Sequence, residues 1–309
     1  MSAPRRVLVT GASGFIGRHV PEPLLQRGFE VHAVTSRAAP PAHAPDGVSW
    51  HRADLLDPRA HDDLLARVAP THLLHLAWYA EHGRFWTSTE NLRWSAATLE
   101  LVRRFAERGG RRAVFAGSCA EYRWGDPGPC VEDITPTQPA TLYGAAKNAT
   151  RAILAAAAPE LGIELAWGRV FLLYGPDEAP GRLVASVARA LVAGERAKTG
   201  DGTQVRDVLH VQDVAAAFAA ILDSEVTGAV NIGSGEGRPL REVIEAIGTA
   251  AGRPELLDIG ALPPRPGDPP ELVADVTRLR EEAGFVPAID LRDGIERTVA
   301  WWRAALAAR

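Results

Sequence analysis

The 309-residue chain has few cysteines, no long apolar run and little net charge. Each of these features argues against a kind of site, location or partner. Its 2 cysteines, Cys119 and Cys130, have no metal-ligand spacing around them, so we expect no metal site and two reduced thiols in a cytoplasmic protein. No stretch approaches the roughly 18 apolar residues of a membrane span, and we expect no signal peptide. The net charge of -4, without a Lys/Arg-rich run, argues against a nucleic-acid partner.

Lysine is also scarce, since Lys147 and Lys198 are the only two although Lys and Arg together number 34. Lys147 stands four residues after Tyr143, which is one of only 4 tyrosines. Residues at i and i+4 share one face of a helix. A phenol beside an ammonium has a lowered pKa and can exchange a proton near pH 7. The pair therefore predicts an acid/base site, and a plain surface pair on a helix is the alternative.

Short apolar runs alternate with helical segments through the first half of the chain. This alternation predicts a parallel, doubly wound α/β sheet. The predicted strands cover residues 5–10, 30–34, 48–52, 71–77, 112–117 and 165–171. The first predicted helix extends from the glycines after the first strand to about residue 26. The other predicted helices cover residues 57–68, 89–107 and the segment with Tyr143 and Lys147.

Three glycines follow the first predicted strand and precede the first predicted helix. They form Gly11-x-x-Gly14-x-x-Gly17, with Phe15 and Ile16 between the last two. Glycine allows a tight turn and the close approach of a phosphate, whose charge the helix N-terminus stabilises. The order of strand, glycines and helix predicts a Rossmann sheet that binds a dinucleotide through these five residues. A simple tight turn, the alternative, leaves the spacing unexplained.

The end of the second predicted strand indicates which dinucleotide binds. An acidic residue at this point grips the ribose hydroxyls of NAD. This chain has Thr35-Ser36-Arg37 instead, and a hydroxyl with a guanidinium can bind a 2′-phosphate. We therefore favour NADP(H) over NAD(H), with Ser36 and Arg37 as its ligands. The alternative is an exposed arginine that begins a polar loop.

The pattern loosens after Tyr174-Gly175-Pro176, where turns and prolines separate short elements. A chain of this length usually divides into two lobes. We predict a dinucleotide-binding domain of residues 1–175, to which residues 208–235 return. Residues 176–207 and 236–309 would form a smaller, discontinuous α/β substrate lobe.

Further motifs follow in order along the chain, and they make it resemble the extended short-chain dehydrogenase/reductase family, of the NAD-dependent epimerase/dehydratase type. This family contains sugar-nucleotide epimerases, dehydratases and ketoreductases, and its resemblance to the chain implies a homodimer. Beyond the glycine loop, the resemblance rests on Asp54-Leu55, His75-Leu-Ala77, Gly117-Ser118-Cys-Ala-Glu-Tyr122, Tyr143-Gly-Ala-Ala-Lys147, Arg169-Val-Phe-Leu-Leu-Tyr-Gly-Pro176, Val205-Arg-Asp-Val-Leu-His-Val-Gln-Asp213 and Arg265-Pro-Gly-Asp268.

The resemblance implies a role for each residue of a catalytic group. Tyr143 would be the general acid/base, and Lys147 would lower its pKa and hold the nicotinamide ribose. Ser118 would hydrogen-bond the reacting oxygen of the substrate. The resemblance also implies cofactor contacts. Asp54 and Leu55 would contact the adenine, and Leu76 and Ala77 would line the diphosphate and ribose.

The resemblance also implies how a substrate would bind. Arg206 and Arg265 would grip the phosphates of a nucleotide sugar, because a guanidinium suits phosphate oxygens. A structural salt bridge to Asp207 or Asp268 is the alternative. Leu172-Leu173 stands where the family usually carries an asparagine that contacts the sugar nucleotide, so a substrate of another kind stays open.

Missing residues favour some reactions of the family over others. Dehydratases carry Asp-Glu after the active-site residue, whereas Cys119-Ala120 follows Ser118 here, which argues against the removal of water. Enzymes that epimerise next to a carbonyl use a cysteine where this chain has Ala120, so we interpret Cys119 as a packing residue. Glu121 is a lesser candidate acid, and a solvent-facing position is its alternative.

Simple carbonyl reduction and 4-epimerisation through a transient ketone remain. Because residues 35–37 favour NADP(H) and a net reductase draws on NADPH, we predict an NADPH-dependent ketoreductase. Its substrate would be a nucleotide-linked 4-keto-6-deoxyhexose of deoxysugar biosynthesis. The alternatives are a 4-epimerase that retains NAD(P), a reductase of a non-sugar carbonyl and a non-catalytic dinucleotide sensor.

Overall fold

The computed structural model describes residues 5–41, 44–264 and 267–308. Its strands are β1 Arg6–Thr10, β2 Glu30–Thr35, β3 Val48–Arg52, β4 His72–His75, β5 Arg112–Ser118, β6 Glu164–Val170, β7 Leu172–Tyr174, β8 Ala197–Thr199, β9 Val205–His210, β10 Gly228–Ile232, β11 Gly237–Pro239, β12 Leu257–Ile259 and β13 Glu271–Leu272. Its helices are α1 Pro21–Gln26, α2 Pro58–Val68, α3 Glu90–Glu107, α4 Leu142–Leu161, α5 Leu183–Val192, α6 Val211–Asp223, α7 Leu240–Ala251, α8 Thr277–Glu281 and α9 Leu291–Ala307. Three 3-10 turns cover Gly17–His19, Cys119–Glu121 and Pro254–Leu256.

Seven strands form one parallel sheet in the order β10-β6-β5-β4-β1-β2-β3. Successive side chains of a strand point to opposite faces. Val7 and Val9 of β1 therefore pack in one core cluster with Phe218 of α6, and Leu8 packs in another with Leu101 of α3. A parallel sheet covered on both faces buries such apolar strands completely. The predicted doubly wound sheet is confirmed.

The strand order reverses between β1 and β4. The chain runs from β1 to β2 and β3 on one side and then from β4 to β5 and β6 on the other. At such a reversal the carboxyl ends of the strands open a crevice, which is where sheets of this kind bind ligands. The glycine loop after β1 and Ser118 at the end of β5 both lie at this edge.

The first helix differs from the prediction of a continuous helix after the glycines. A 3-10 turn covers Gly17–His19, and α1 begins only at Pro21. Proline lacks the N–H that a helix interior uses but is favoured in the first helical turn. Pro21 and Pro23 therefore set the start of α1.

Outside the seven-stranded sheet, β7, β9, β11 and β13 form a four-stranded sheet, and β8 and β12 form a pair. Helices α5, α7 and α9 enclose a core in which Trp302 is buried. The exact domain limits stay a prediction, as do the homodimer and the cytoplasmic location. Within the described residues, every helix is too short or too polar to cross a membrane.

Candidate active site

Glycine is required at two positions of the loop after β1, because main chain packs closely against both of them. Gly11 has a φ of +67°, and a Cβ on it would lie 2.7 Å from the main-chain nitrogen of Ala77. A Cβ on Gly17 would lie 2.7 Å from the Cα of Ala12. The N–H of Gly14 donates a 2.9 Å hydrogen bond to the Gly11 carbonyl and closes the turn. A tight glycine turn that directly follows a parallel strand is the arrangement that holds dinucleotide phosphates in sheets of this kind.

Core residues pack against this loop and support it. Phe15 and Ile16 are half-buried and pack against the core. The imidazole of His75 bridges two hydroxyls, with Nδ1 2.9 Å from Thr10 Oγ1 and Nε2 3.0 Å from Thr98 Oγ1. Burial lowers the pKa of His75 to about 3. One uncharged histidine therefore joins β1, β4 and α3 under the loop.

The end of β2 carries a hydroxyl and a guanidinium, as the sequence indicates. Thr35 is buried, and its hydroxyl donates a 2.8 Å hydrogen bond to Ser13 Oγ of the glycine loop. The same hydroxyl accepts a 3.1 Å hydrogen bond from the N–H of Arg37. Ser36 and Arg37 are exposed and therefore accessible to a ligand.

The residues expected near the adenine and the diphosphate lie in different surroundings. Asp54 is exposed, and its Oδ1 accepts a 3.0 Å hydrogen bond from the N–H of Leu56. Leu55 and Ala77 are buried in the core, and Leu76 is half-buried. Ala77 meets the glycine loop through its main chain, and the cofactor roles of Asp54, Leu55, Leu76 and Ala77 stay predictions.

The ends of β5 and of α4 meet at the candidate catalytic residues. Thr141 caps α4 by accepting a 3.1 Å hydrogen bond from the N–H of Gly144. Gly144 packs so closely on the turn after β5 that a Cβ would overlap the Ala120 carbonyl. This close approach sets Tyr143, the residue before Gly144, beside the turn that begins directly after Ser118.

Lys147 lies one turn further along α4 and is buried. Its Nζ donates a 2.7 Å hydrogen bond to the carbonyl of Ala116 on β5 and lies 3.8 Å from the centre of the Trp78 ring. The same atom is 5.9 Å from the centre of the Tyr143 ring. Burial lowers the pKa of Lys147 to about 7, although the carboxylate of Glu121 raises it.

The pKa of Tyr143 differs from the sequence prediction. Lys147 was expected to lower it, but burial raises it above the ordinary value of 10.0, and the Ser118 hydroxyl only opposes this shift. Burial disfavours the charged form of either residue, so both pKa values move towards the neutral species. In this structure burial therefore outweighs the predicted lowering of the Tyr143 pKa.

Glu121 is neither a solvent-facing residue nor an accessible acid. It is 0% exposed, and its Oε1 accepts hydrogen bonds from the Ser118 N–H and from Trp167 Nε1, both at 2.8 Å. Its Oε2 accepts a 2.9 Å hydrogen bond from Arg169 Nε. This buried ion pair is absent from the sequence predictions. The signal that could have indicated it is Arg169, a charged residue inside the apolar run of residues 165–171.

Aromatic side chains from two loops surround the phenol. The ring of Phe85 lies 4.8 Å from the Tyr143 ring, and that of Trp86, which is 37% exposed, lies 5.7 Å from it. Trp124 packs edge-on against Trp86 and donates a 3.2 Å hydrogen bond to the Cys119 carbonyl. The Cys119 side chain packs against the core, as expected, and burial raises the pKa of its thiol to about 12.

Arg206 forms the salt bridge that was the alternative to phosphate binding. Its guanidinium is nearly buried and lies 2.6 Å from Asp268 Oδ1 and 2.7 Å from the Pro269 carbonyl. Asp207 instead accepts hydrogen bonds from the main chain after β10. Arg265 lies outside the described residues. Binding of substrate phosphates by either arginine stays a prediction.

The fold, the glycine cradle and the Ser-Tyr-Lys group define a nicotinamide-dependent α/β enzyme of the extended short-chain dehydrogenase/reductase type. The chain belongs to the NAD-dependent epimerase/dehydratase family, whose profile matches residues 7–233. It is 32% identical to the UDP-glucose 4-epimerase of Azospirillum brasilense over 99% of this chain and 94% of that protein. It is 28% identical to the probable UDP-arabinose 4-epimerase 3 of Arabidopsis thaliana, over 96% of this chain and 80% of that protein. The crystal structure of Thermus thermophilus UDP-glucose 4-epimerase with NAD superposes with a TM-score of 0.84 at 32% identity, covering 97% of this chain and 99% of that chain.

These relatives overturn the prediction of an NADPH-dependent ketoreductase. They match over nearly the whole chain and are named 4-epimerases, which was the alternative. The prediction failed because a serine, a tyrosine and a lysine at these positions serve both reactions. The residues at 35–37 bear on which dinucleotide binds and do not identify the reaction.

Proposed function

We propose that the protein interconverts the C4 epimers of a nucleotide-linked sugar while a nicotinamide cofactor stays bound. The observation that carries the proposal is the placement of Tyr143 and Lys147 on α4 beside the strand that ends in Ser118: Gly144 packs on the Ala120 carbonyl, and Lys147 Nζ bonds the Ala116 carbonyl. Cys119 and Ala120 occupy the positions of a dehydratase acid pair, so this site has no group there for removing water. The names of the relatives support the same reaction.

Each catalytic residue would act on the C4 oxygen of the sugar. The bound nicotinamide supplies a hydride acceptor and donor. Tyr143 takes the hydroxyl proton when C4 is oxidised and returns it when C4 is reduced, and Ser118 hydrogen-bonds the same oxygen in both directions. Lys147 would place a positive charge near the phenol, which favours the phenolate that accepts the proton in the first step and forms again in the second. Burial raises the pKa of Tyr143, which makes its phenolate a stronger base for the first step.

Arginines would bind the diphosphate of the substrate. A guanidinium can contact two phosphate oxygens at once, and we assign this role to Arg206 and Arg265. Arg206 is pre-oriented by its contacts with Asp268 and the Pro269 carbonyl. The diphosphate of a nucleotide sugar would lie beside Arg206, with the sugar directed towards Tyr143.

For the cofactor we infer NADP(H), from this chain's own residues. Thr35 replaces the acidic residue that grips the ribose of NAD, and exposed Arg37 can meet a 2′-phosphate. The Thermus relative was solved with NAD, so the difference should lie at these positions. Nucleotide released from denatured wild-type protein, and from Arg37→Ala, can be identified by chromatography. We expect NADP from the wild type and less of it from the variant, whereas NAD alone in both contradicts the inference.

The reaction is tested without added cofactor. Purified protein is incubated with UDP-glucose or UDP-arabinose, and the C4 epimer is measured by chromatography, with Tyr143→Phe as the control. We expect a mixture of epimers, no net change in absorbance at 340 nm, and in heavy water no deuterium at C4, because the same hydride returns. Failure of the wild type to form either epimer, combined with net oxidation of added NADPH by a keto sugar, contradicts the proposal.

A further inference from the structure

The side-chain carboxylate of Glu121 is hydrogen-bonded to the main chain of Ser118. Glu121 ends the 3-10 turn that begins directly after Ser118, and its Oε1 accepts the Ser118 N–H at 2.8 Å. In return the Ser118 Oγ accepts the Ala120 N–H at 3.2 Å. A Cβ on Gly117 would lie 2.7 Å from Glu121 Oε1, so glycine at this position leaves space for the carboxylate to reach the Ser118 N–H. The two reciprocal bonds fix the orientation of the Ser118 hydroxyl.

The same carboxylate is a fixed negative charge. A buried carboxylate persists only when charged or polar groups compensate it. Trp167 Nε1 bonds Oε1 at 2.8 Å, and Arg169 Nε bonds Oε2 at 2.9 Å. Arg169 is itself held by the hydroxyl of Tyr122 at 2.9 Å and the carbonyl of Glu132 at 3.2 Å. Neither partner of the ion pair can turn away without losing several bonds.

Lys147 and Glu121 both bind the main chain at the end of β5, at Ala116 and at Ser118. Its Nζ is bonded to Ala116, two residues before Ser118 on the same strand. Burial lowers the pKa of Lys147 to about 7, and Glu121 is the group that raises it. The other titratable and charged groups around the pair, from β4, the turn after β5, α4 and β6, are His75, Cys119, Tyr122, Tyr143, Arg151 and Arg169.

We propose that Glu121 is a positioning residue with two tasks: it orients Ser118 through the main chain, and it supplies the buried negative charge that keeps Lys147 an ammonium. Glu121 does not touch the substrate in this scheme. The inference rests on the proposed roles of Ser118 and Lys147, and it makes Glu121 necessary for both.

The scarcity of lysine allows a direct test of the second task. Protein labelled with 13C at lysine Cε gives two resonances, from Lys147 and Lys198, and Lys147→Met assigns them. We expect Glu121→Gln to move the titration midpoint of Lys147 down by about one pH unit, because a nearby opposite charge favours the ammonium. Glu132→Gln is the matched control, since Glu132 is also buried and accepts the Asn231 N–H at 2.8 Å. The control should leave the midpoint where it is in the wild type.

The first task is tested by shortening the side chain. Glu121→Asp keeps the charge but withdraws it from the Ser118 N–H, so kcat should fall at least about tenfold while KM and the Lys147 midpoint stay near wild type. If Glu121→Gln does not fold, the kcat of Glu121→Asp still tests the inference. An unchanged midpoint in Glu121→Gln, or an unchanged kcat in Glu121→Asp, overturns the inference. A shifted midpoint in a protein that epimerises no sugar would instead contradict the proposed function alone.

Discussion

The ammonium of Lys147 donates its 2.7 Å hydrogen bond to the carbonyl of Ala116 on β5. Lys147 therefore ties α4 to the strand that ends in Ser118, and it approaches the Tyr143 ring only to 5.9 Å. The i, i+4 spacing of Tyr143 and Lys147 puts both on the active-site face of α4, but the hydrogen bond of Lys147 goes to β5 rather than to the phenol.

Tyr143→Phe should abolish most activity without disturbing the fold. Phenylalanine keeps the ring that packs against Phe85 and Trp86 and removes only the hydroxyl. Loss of a general acid/base lowers kcat by about 10²- to 10⁴-fold. Epimer formation and bound dinucleotide are measured on the same preparation. A variant with wild-type turnover would remove Tyr143 from the chemistry.

The buried ammonium of Lys147 should make stability depend on pH. Its folded pKa of about 7 lies below the ordinary value of 10.5, so between these values the unfolded chain binds a proton that the folded chain does not. The free energy of unfolding due to this group therefore rises with pH through that window, and below it the penalty of burying the charge is complete. Urea unfolding at pH 7 and pH 9 should show this rise in the wild type and a smaller one in Lys147→Met. Equal slopes in both proteins contradict it.

Gly11→Ala should destroy dinucleotide binding. Its Cβ would meet the Ala77 nitrogen at 2.7 Å, and its φ of +67° disfavours a side chain by roughly 1–2 kcal/mol. Gly28→Ala is the matched control, because Gly28 has a φ of +76° and no atom within 4 Å of its would-be Cβ. We expect both variants to lose melting temperature and only Gly11→Ala to lose the cofactor, measured by titration calorimetry. Equal cofactor affinities contradict the role of the cradle.

Arg206→Gln should weaken binding of the substrate's nucleotide diphosphate. The variant removes the charge that would meet two phosphate oxygens, and a loss of about 1.5–3 kcal/mol for a charged hydrogen bond corresponds to a Kd more than tenfold higher for UDP. Arg238→Gln is the control, since Arg238 pairs with Arg206 across β11 and β9 but forms an exposed ion pair with Glu236. A Kd that changes equally in both variants would limit Arg206 to its bridge with Asp268.

Local patterns in the sequence predicted the features that depend on short-range geometry. The spacing of Gly11, Gly14 and Gly17 identified the cradle, because the positions of a turn and a helix start depend on neighbouring residues. The ion pair between Glu121 and Arg169 was not predicted, because the two residues are 48 positions apart in the chain. They meet only through the strand register that aligns Gly117 with Arg169. The rise in the pKa of Tyr143 was not predicted for a related reason, since burial depends on which loops fold over the phenol.

The neutral histidine under the glycine loop has a consequence for acid tolerance. His75 bridges Thr10 and Thr98, and it does not take up a proton until about pH 3. The contacts of His75 that join β1, β4 and α3 therefore stay uncharged in mild acid. Any activity lost between neutrality and pH 5 would then come from a group other than His75.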